Sequence, residues 1–283
     1  MPKRLLTPEM RSELAFVRAQ PGEIDLAYFP DFFIAGPQRT GTTWLHANMR
    51  FHPEIFLSEP KEIYYFSRLK KTGDPKFVSA DLAWYLGFFH ERPALWLYKQ
   101  ALSLGRYRRL YAPKIRGEAT ASYAALDRDI IEEIALLNPA LKVVIMVRDP
   151  VERAWSHAKK DLARNRGRKL TEVTEAEFHE FFADPYQRQC ARYVENIENW
   201  RACLGRDRVF VGRFDDVAQR AEPFLLEVLD FLGVSTDRRY VPNSVREPVN
   251  PTGESEVPER HRRFLERLLE REIESWRARF SRE

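Results

Sequence analysis

Short apolar runs of strand length alternate along the chain with longer segments of helical spacing. Phe32-Phe33-Ile34-Ala35 breaks into the turn Gly36-Pro37-Gln38-Arg39-Thr40-Gly41, and apolar spacing resumes at Trp44-Leu45. This predicts a strand, a loop and a helix from Thr43 to about Met49 that ends near Pro53, since proline cannot continue it. A short strand is expected over 55–57 and a core helix over 81–89. The segment 106–111 reads as peripheral, and 114–123 as a strand edge opening into a small-residue loop. Helical spacing over 126–137 stops at Asn138-Pro139. Residues 141–147 form the most β-rich run, as a strand buried on both faces of a parallel sheet requires. Pro150 suits the first turn of a helix to about Asn165, followed by a basic loop over 165–169. Further helices are expected over 175–182, 187–204 and 224–232, the last closed by Gly233, with a strand over 209–214 between them. Residues 242–258 are turn-rich and suited to covering a site, and 259–279 reads as an amphipathic helix. Strands alternating with helices predict an α/β fold with a three-layer, largely parallel sheet.

The length of 283 residues is consistent with one domain over 1–283, with 1–30 as a surface lead-in. A content of 44% hydrophobic and 31% charged residues is that of a soluble globular protein, and the net charge of +4 suits an anionic ligand without implying nucleic acid. No run approaches the ~18 apolar residues of a membrane span, and the N-terminus lacks a signal-peptide apolar core, so a cytoplasmic location is expected. Cys190 and Cys203, read on one helix, are expected to be buried free thiols.

The turn after the first strand changes the picture most. Backbone N–H groups, hydroxyls and the positive end of a helix dipole meet there, which makes an anion site for a phosphate or sulfate ester. The spacing Gly36-x-x-x-x-Gly41-Thr42-Thr43 nearly reproduces the P-loop pattern, but Thr42 stands where the P-loop lysine belongs, and the nearby cation is Arg39. A second strand-loop-helix unit carries Arg148 at its strand end and Ser156 two helical turns on, placed to grip one phosphate together. For Arg148 the bland alternative is a salt bridge with Asp149 or Glu152, and for Ser156 an incidental helix position. In Ser58-Glu59-Pro60-Lys61-Glu62-Ile63-Tyr64-Tyr65-Phe66, charges adjoin an aromatic wall, forming either a substrate cleft or a solvated turn. A P-loop kinase or NTPase, with Asp149 as its magnesium ligand, and a non-catalytic nucleotide-binding module are the alternatives.

With both anchors read, the chain resembles the PAPS-dependent sulfotransferases over roughly residues 30–235, and is more similar to their carbohydrate branch, typified by heparan sulfate sulfotransferases. The 5′-phosphosulfate loop of that family matches Pro37 to Leu45, and its 3′-phosphate motif matches Arg148 to Ser156. The resemblance implies a sulfuryl donor, 3′-phosphoadenosine 5′-phosphosulfate, and a product, adenosine 3′,5′-bisphosphate. The donor would be held by Arg39, Thr40, Gly41, Thr42, Thr43, Trp44, Arg148, Ser156, an adenine-proximal Tyr193 and Arg246. It also implies Glu62 as general base and Arg39 as stabiliser of the leaving group, with no metal. Lys61, Tyr64, Glu118 and Ser122 would face the acceptor, a hydroxyl on a sugar or small molecule. Two departures stand out: Arg39 replaces the family's loop lysine, and Ala119 and Thr252-Gly253-Glu254 stand where the heparan enzymes carry a lysine and a Lys-Gly-Arg loop. These departures argue against a polyanionic glycan.

Overall fold

The computed structural model describes residues 3–247, 249 and 256–280. Five strands, β1 (Phe32–Ala35), β2 (Ile55–Leu57), β3 (Ile115–Ala119), β4 (Lys142–Val147) and β5 (Val209–Arg213), form one sheet in the order β2-β3-β1-β4-β5. All four pairings are parallel. Side chains alternate between the faces of a strand, so each central strand feeds two cores. Phe33 and Ala35 pack with Val143, Ile145 and Val147 on one face, under the helices Arg128–Leu137 and Tyr193–Leu204. Phe32 and Ile34 pack with Val144 and Met146 on the other, under Thr42–Met49 and Ala221–Leu232. The sheet is therefore the middle of three layers, as the apolar run at 141–147 requires. A third cluster joins Pro150–Ala158 and Glu175–Ala183 to the C-terminal helices.

Gly36, at the end of β1, adopts φ +138°, and a Cβ there would lie 2.7 Å from the Met146 backbone nitrogen of β4. Glycine is what lets the phosphate-type loop leave β1 pressed against β4. That close approach brings the loops after β1 and β4 together.

Several expectations are corrected. The lead-in is not a surface segment: Leu6, Val17, Ile24, Leu26 and Phe29 are buried. The buried Glu133 carboxylate accepts the N–H groups of Ala15, Phe16 and Val17 at 2.6, 2.8 and 2.9 Å, which fastens this segment to a core helix. Scattered apolar positions without periodicity hid this docking. The helix expected over 187–204 breaks at Arg192 into Pro185–Ala191 and Tyr193–Leu204, so the cysteines lie on different helices, Cys190 buried and Cys203 only partly. Asn196 bonds back across the break to the Gln189 carbonyl at 2.8 Å and so satisfies it. The terminal helix is likewise two, Glu259–Leu268 and Glu270–Phe280. The helix after β4 is α-helical only to Ala158 and then passes through a π turn, Lys159–Ala163. Residues 106–107 end a helix, Pro93–Tyr107, that the pattern did not reveal.

Candidate functional site

The carboxyl ends of β2, β3, β1 and β4 are neighbours, and in a parallel sheet that edge is where ligands sit. Gly41, in the left-handed region at φ 101°, caps the helix Thr42–Met49, and its carbonyl accepts from Trp44 and Leu45 at 3.0 and 3.2 Å. The first N–H groups of that helix, including those of Thr42 and Thr43, have no partners within it and face its open end. Thr40 is buried, and its hydroxyl donates to the Pro37 carbonyl at 2.8 Å, bracing the loop from inside. Trp44 is also a brace: its indole donates to the Val245 carbonyl at 2.9 Å and its ring stacks on Phe224.

Arg39 holds a left-handed backbone, φ 76°, and its Nε donates to Ser156 Oγ at 2.9 Å. Arg148 Nη1 reaches the Arg39 carbonyl at 3.4 Å, Nη2 pairs with Glu152 at 3.0 Å, and the guanidinium lies 4.2 Å above the Phe214 ring. Its Nε is buried with no hydrogen-bond partner among the described residues. The salt bridge with Glu152 and the approach to the loop thus coexist, and the two anchors read separately in the sequence touch. Burial, then Arg148 and Arg164, lower the proton affinity of Arg39. Cations gathered at this density favour an anionic occupant.

Glu62 stands at the end of the segment after β2, also left-handed at φ 67°, its N–H donating to the Ala119 carbonyl at 2.9 Å. Its carboxylate accepts from Lys61 Nζ at 2.7 Å and from the Tyr64 hydroxyl. Burial alone would raise its proton affinity, but the Lys61 charge and the two donors outweigh burial and hold the carboxyl below the ordinary 4.5. The Tyr64 phenol is pushed up by burial and by the facing Glu62. Asp161, in the π turn, acts electrostatically on both Arg39 and Tyr64.

Two residues expected to face the acceptor, Glu118 and Ser122, are buried. Glu118, 0% exposed, accepts from Thr120 Oγ1 at 2.6 Å and from the Tyr85 hydroxyl. Ser122 is buried and donates to Ser67 Oγ at 2.9 Å. Burial pushes the Glu118 carboxyl up to about 7, against the opposing pull of Thr120, Tyr85 and Tyr123. A carboxyl raised in the folded state lends stability that is complete below its unfolded value of 4.5 and is lost as pH rises through about 7. Glu118→Gln, which keeps the shape, is therefore expected to flatten the decline in urea-unfolding free energy between pH 5 and 8 by about 3 kcal/mol. An unchanged pH dependence would refute this assignment.

The profile of the sulfotransferase family matches residues 30–238. The chain belongs to the sulfotransferase family. The chain is similar to the bifunctional heparan sulfate N-deacetylase/N-sulfotransferase 4 of Mus musculus, 25% identical over 228 residues, which cover 75% of this chain and 23% of that protein. It is also similar to the membrane-associated sulfotransferase kil1 of Dictyostelium discoideum, 29% identical over 136 residues, 48% of this chain and 24% of the other. It thus spans about a quarter of the length of these relatives. A solved sulfotransferase from Alicyclobacillus acidocaldarius shares the fold, with a TM-score of 0.54, 22% identity, and coverage of 88% of this chain and 98% of that one.

The remaining expected residues are more dispersed. Tyr193 is buried, and its hydroxyl has no hydrogen-bond partner among the described residues. Arg246 is exposed, following the Val245 that holds Trp44, and Thr252-Gly253-Glu254 lie outside the described residues, as does part of the covering loop over 242–258. Asp149 caps its helix by accepting from the Glu152 N–H at 2.9 Å, so the kinase alternative finds its expected magnesium ligand already employed. His46 is buried and lowered to about 4, and the buried His157 bonds Gln187 through Nδ1 at 3.0 Å. Lys159, Lys160 and Arg164 were not singled out from the sequence. Lys159 in the π turn and Arg164 just after it act electrostatically on Arg39, and Lys160 on Glu62, and the run Lys159-Lys160-Asp161 directly after the Ser156 helix was the available signal.

Proposed function

We propose that this sulfotransferase moves a sulfuryl group from 3′-phosphoadenosine 5′-phosphosulfate to a hydroxyl on a sugar or a small molecule. The observation that carries this reading is the Arg39 to Ser156 hydrogen bond of 2.9 Å, which joins the loop after β1 to the helix after β4. Two anion-binding ends in contact fit a ligand with phosphate groups at both ends, and the buried, unpartnered Arg148 Nε supplies a further donor. Arg39, the N–H groups of Thr42 and Thr43, Arg148 and Ser156 would hold the donor, which supplies an activated sulfuryl group. In line with its leaving oxygen, Glu62 takes the proton of the acceptor hydroxyl as the new oxygen–sulfur bond forms and the sulfur–phosphate oxygen bond breaks. Arg39 and the loop N–H groups stabilise the negative charge that collects on that phosphate oxygen. The similarity to a heparan sulfate N-sulfotransferase supports a carbohydrate acceptor.

Adenosine 3′,5′-bisphosphate without magnesium is expected to raise the melting temperature. At a hundredfold excess over Kd the gain is about 2.7 kcal/mol, or roughly 5–10 °C for a domain of this size. Stabilisation by magnesium-ATP alone would overturn the proposal.

A further inference from the structure

The helix Pro93–Tyr107 carries a surface that sulfuryl transfer does not use. Between Pro93 and Gly105 its one charged side chain is Lys99, and that ammonium is buried 5.0 Å from the Phe56 ring and 5.2 Å from the Tyr111 ring. Gln100 exchanges two hydrogen bonds with the Tyr111 backbone, and Ser103 and Tyr107 are buried, so the polar groups serve the inner face. The outer face is left apolar over roughly 22 Å. Leu97, Tyr98 and Leu104 are exposed on it, Trp96 is exposed at the start of the helix and Leu110 just beyond its end, with Leu97 at 62% and Leu110 at 60%. Five of the eight large hydrophobic residues exposed among the described residues stand in this one segment. A concentration of that kind marks a surface that is covered in use.

Charge decides what covers it. Arg92 precedes the helix, and Arg106 and Arg108 stand at its far end; all three are exposed and have no ion-pair partner among the described residues. A second copy docked on this helix, parallel or antiparallel, would set arginine against arginine, a costly contact. A sheet of anionic headgroups satisfies both ends while its acyl boundary takes the leucines and the aromatic rings. A cleft of about 430 Å³ opens beside Arg106, with Arg239, Asn243, Ser244 and Glu247 among its lining, and gives a headgroup room at the basic end.

We propose that the face formed by Leu97, Tyr98 and Leu104, with Trp96 and Leu110 exposed near its two ends and Arg92, Arg106 and Arg108 flanking it, seats the protein on an anionic membrane surface. This is surface association: among the described residues no helix is long and apolar enough to cross a membrane. In co-sedimentation, the chain is expected to bind vesicles of mixed phosphatidylglycerol and phosphatidylcholine and to bind pure phosphatidylcholine far more weakly. Arg106→Gln and Arg108→Gln should each weaken partition to the anionic vesicles about fivefold. Leu97→Glu with Leu104→Glu should abolish it while leaving the melting temperature unchanged, because both side chains are exposed; if that pair fails to fold, the arginine variants still decide. Equal binding to both vesicle types, or to neither, overturns the proposal. So does a dimer in analytical ultracentrifugation that Leu97→Glu dissolves in the absence of vesicle binding, which would make a second copy the occupant.

Discussion

Replacing Glu62 with glutamine is expected to slow sulfuryl transfer by about 10²–10⁴-fold, the usual contribution of a positioned general base. The amide keeps the size of the side chain and an oxygen that accepts from Lys61 or Tyr64, the two donors seen on the carboxylate. What it loses is the capacity to take a proton. Stabilisation by adenosine 3′,5′-bisphosphate should persist, because the donors seen on the Glu62 carboxylate are Lys61 and Tyr64 rather than the Arg39 loop or Arg148. The rate is measured as labelled sulfuryl groups entering an extract's acceptor pool, and binding as the shift in melting temperature. A variant within tenfold of the parent would move the base elsewhere. The pH profile adds an independent check. Lys61 and Tyr64 hold the carboxyl below 4.5 despite burial, so transfer should stay level as pH falls from neutrality and decline only below that value, where Glu62 becomes protonated. Tyr64→Phe removes one of the contacts that favour the charged form and should move that decline to higher pH.

Arg39→Ala is expected to reduce transfer about 10²–10³-fold, the size of effect found when one preorganised donor to a developing oxyanion is removed. Unlike Glu62→Gln, it should also weaken bisphosphate binding, because it deletes a cation and the hydrogen bond to Ser156. Arg39→Lys separates the two contributions. It restores the charge but not the planar fork that reaches Ser156 and the ligand together, so most of the rate should return while the bisphosphate melting shift stays reduced. Equal transfer by the alanine and parent proteins would exclude Arg39 from the reaction. Burial and the neighbouring Arg148 and Arg164 lower its proton affinity, yet a guanidinium remains protonated across the working pH range.

Patterning along the chain determined the layers. The run over 141–147 is apolar at successive positions because β4 is covered on both faces, and Gly36 and Gly41 sit where the backbone needs positive φ. Both anchors were legible for the same reason: a phosphate-type turn depends on local residues at fixed spacing, so Arg39, Arg148 and Ser156 could be named without knowing where they meet. Periodicity also misled where long-range contacts set local structure. Glu133 draws residues 15–17 onto a core helix from far along the chain, and the 187–204 pattern ran unbroken through a turn that Asn196 satisfies. Only the tertiary structure decided which polar residues are available. Glu62, beside an aromatic wall, and Glu118, ahead of a small-residue loop, were both expected at the site. Glu62 keeps its charge because the Lys61 ammonium and the Tyr64 hydroxyl face it, whereas Glu118, sealed among Tyr85, Thr120 and Tyr123, is driven toward its neutral form. A side chain's chemistry depends on burial and on neighbours distant in sequence, and those neighbours are brought together only when the strands pair.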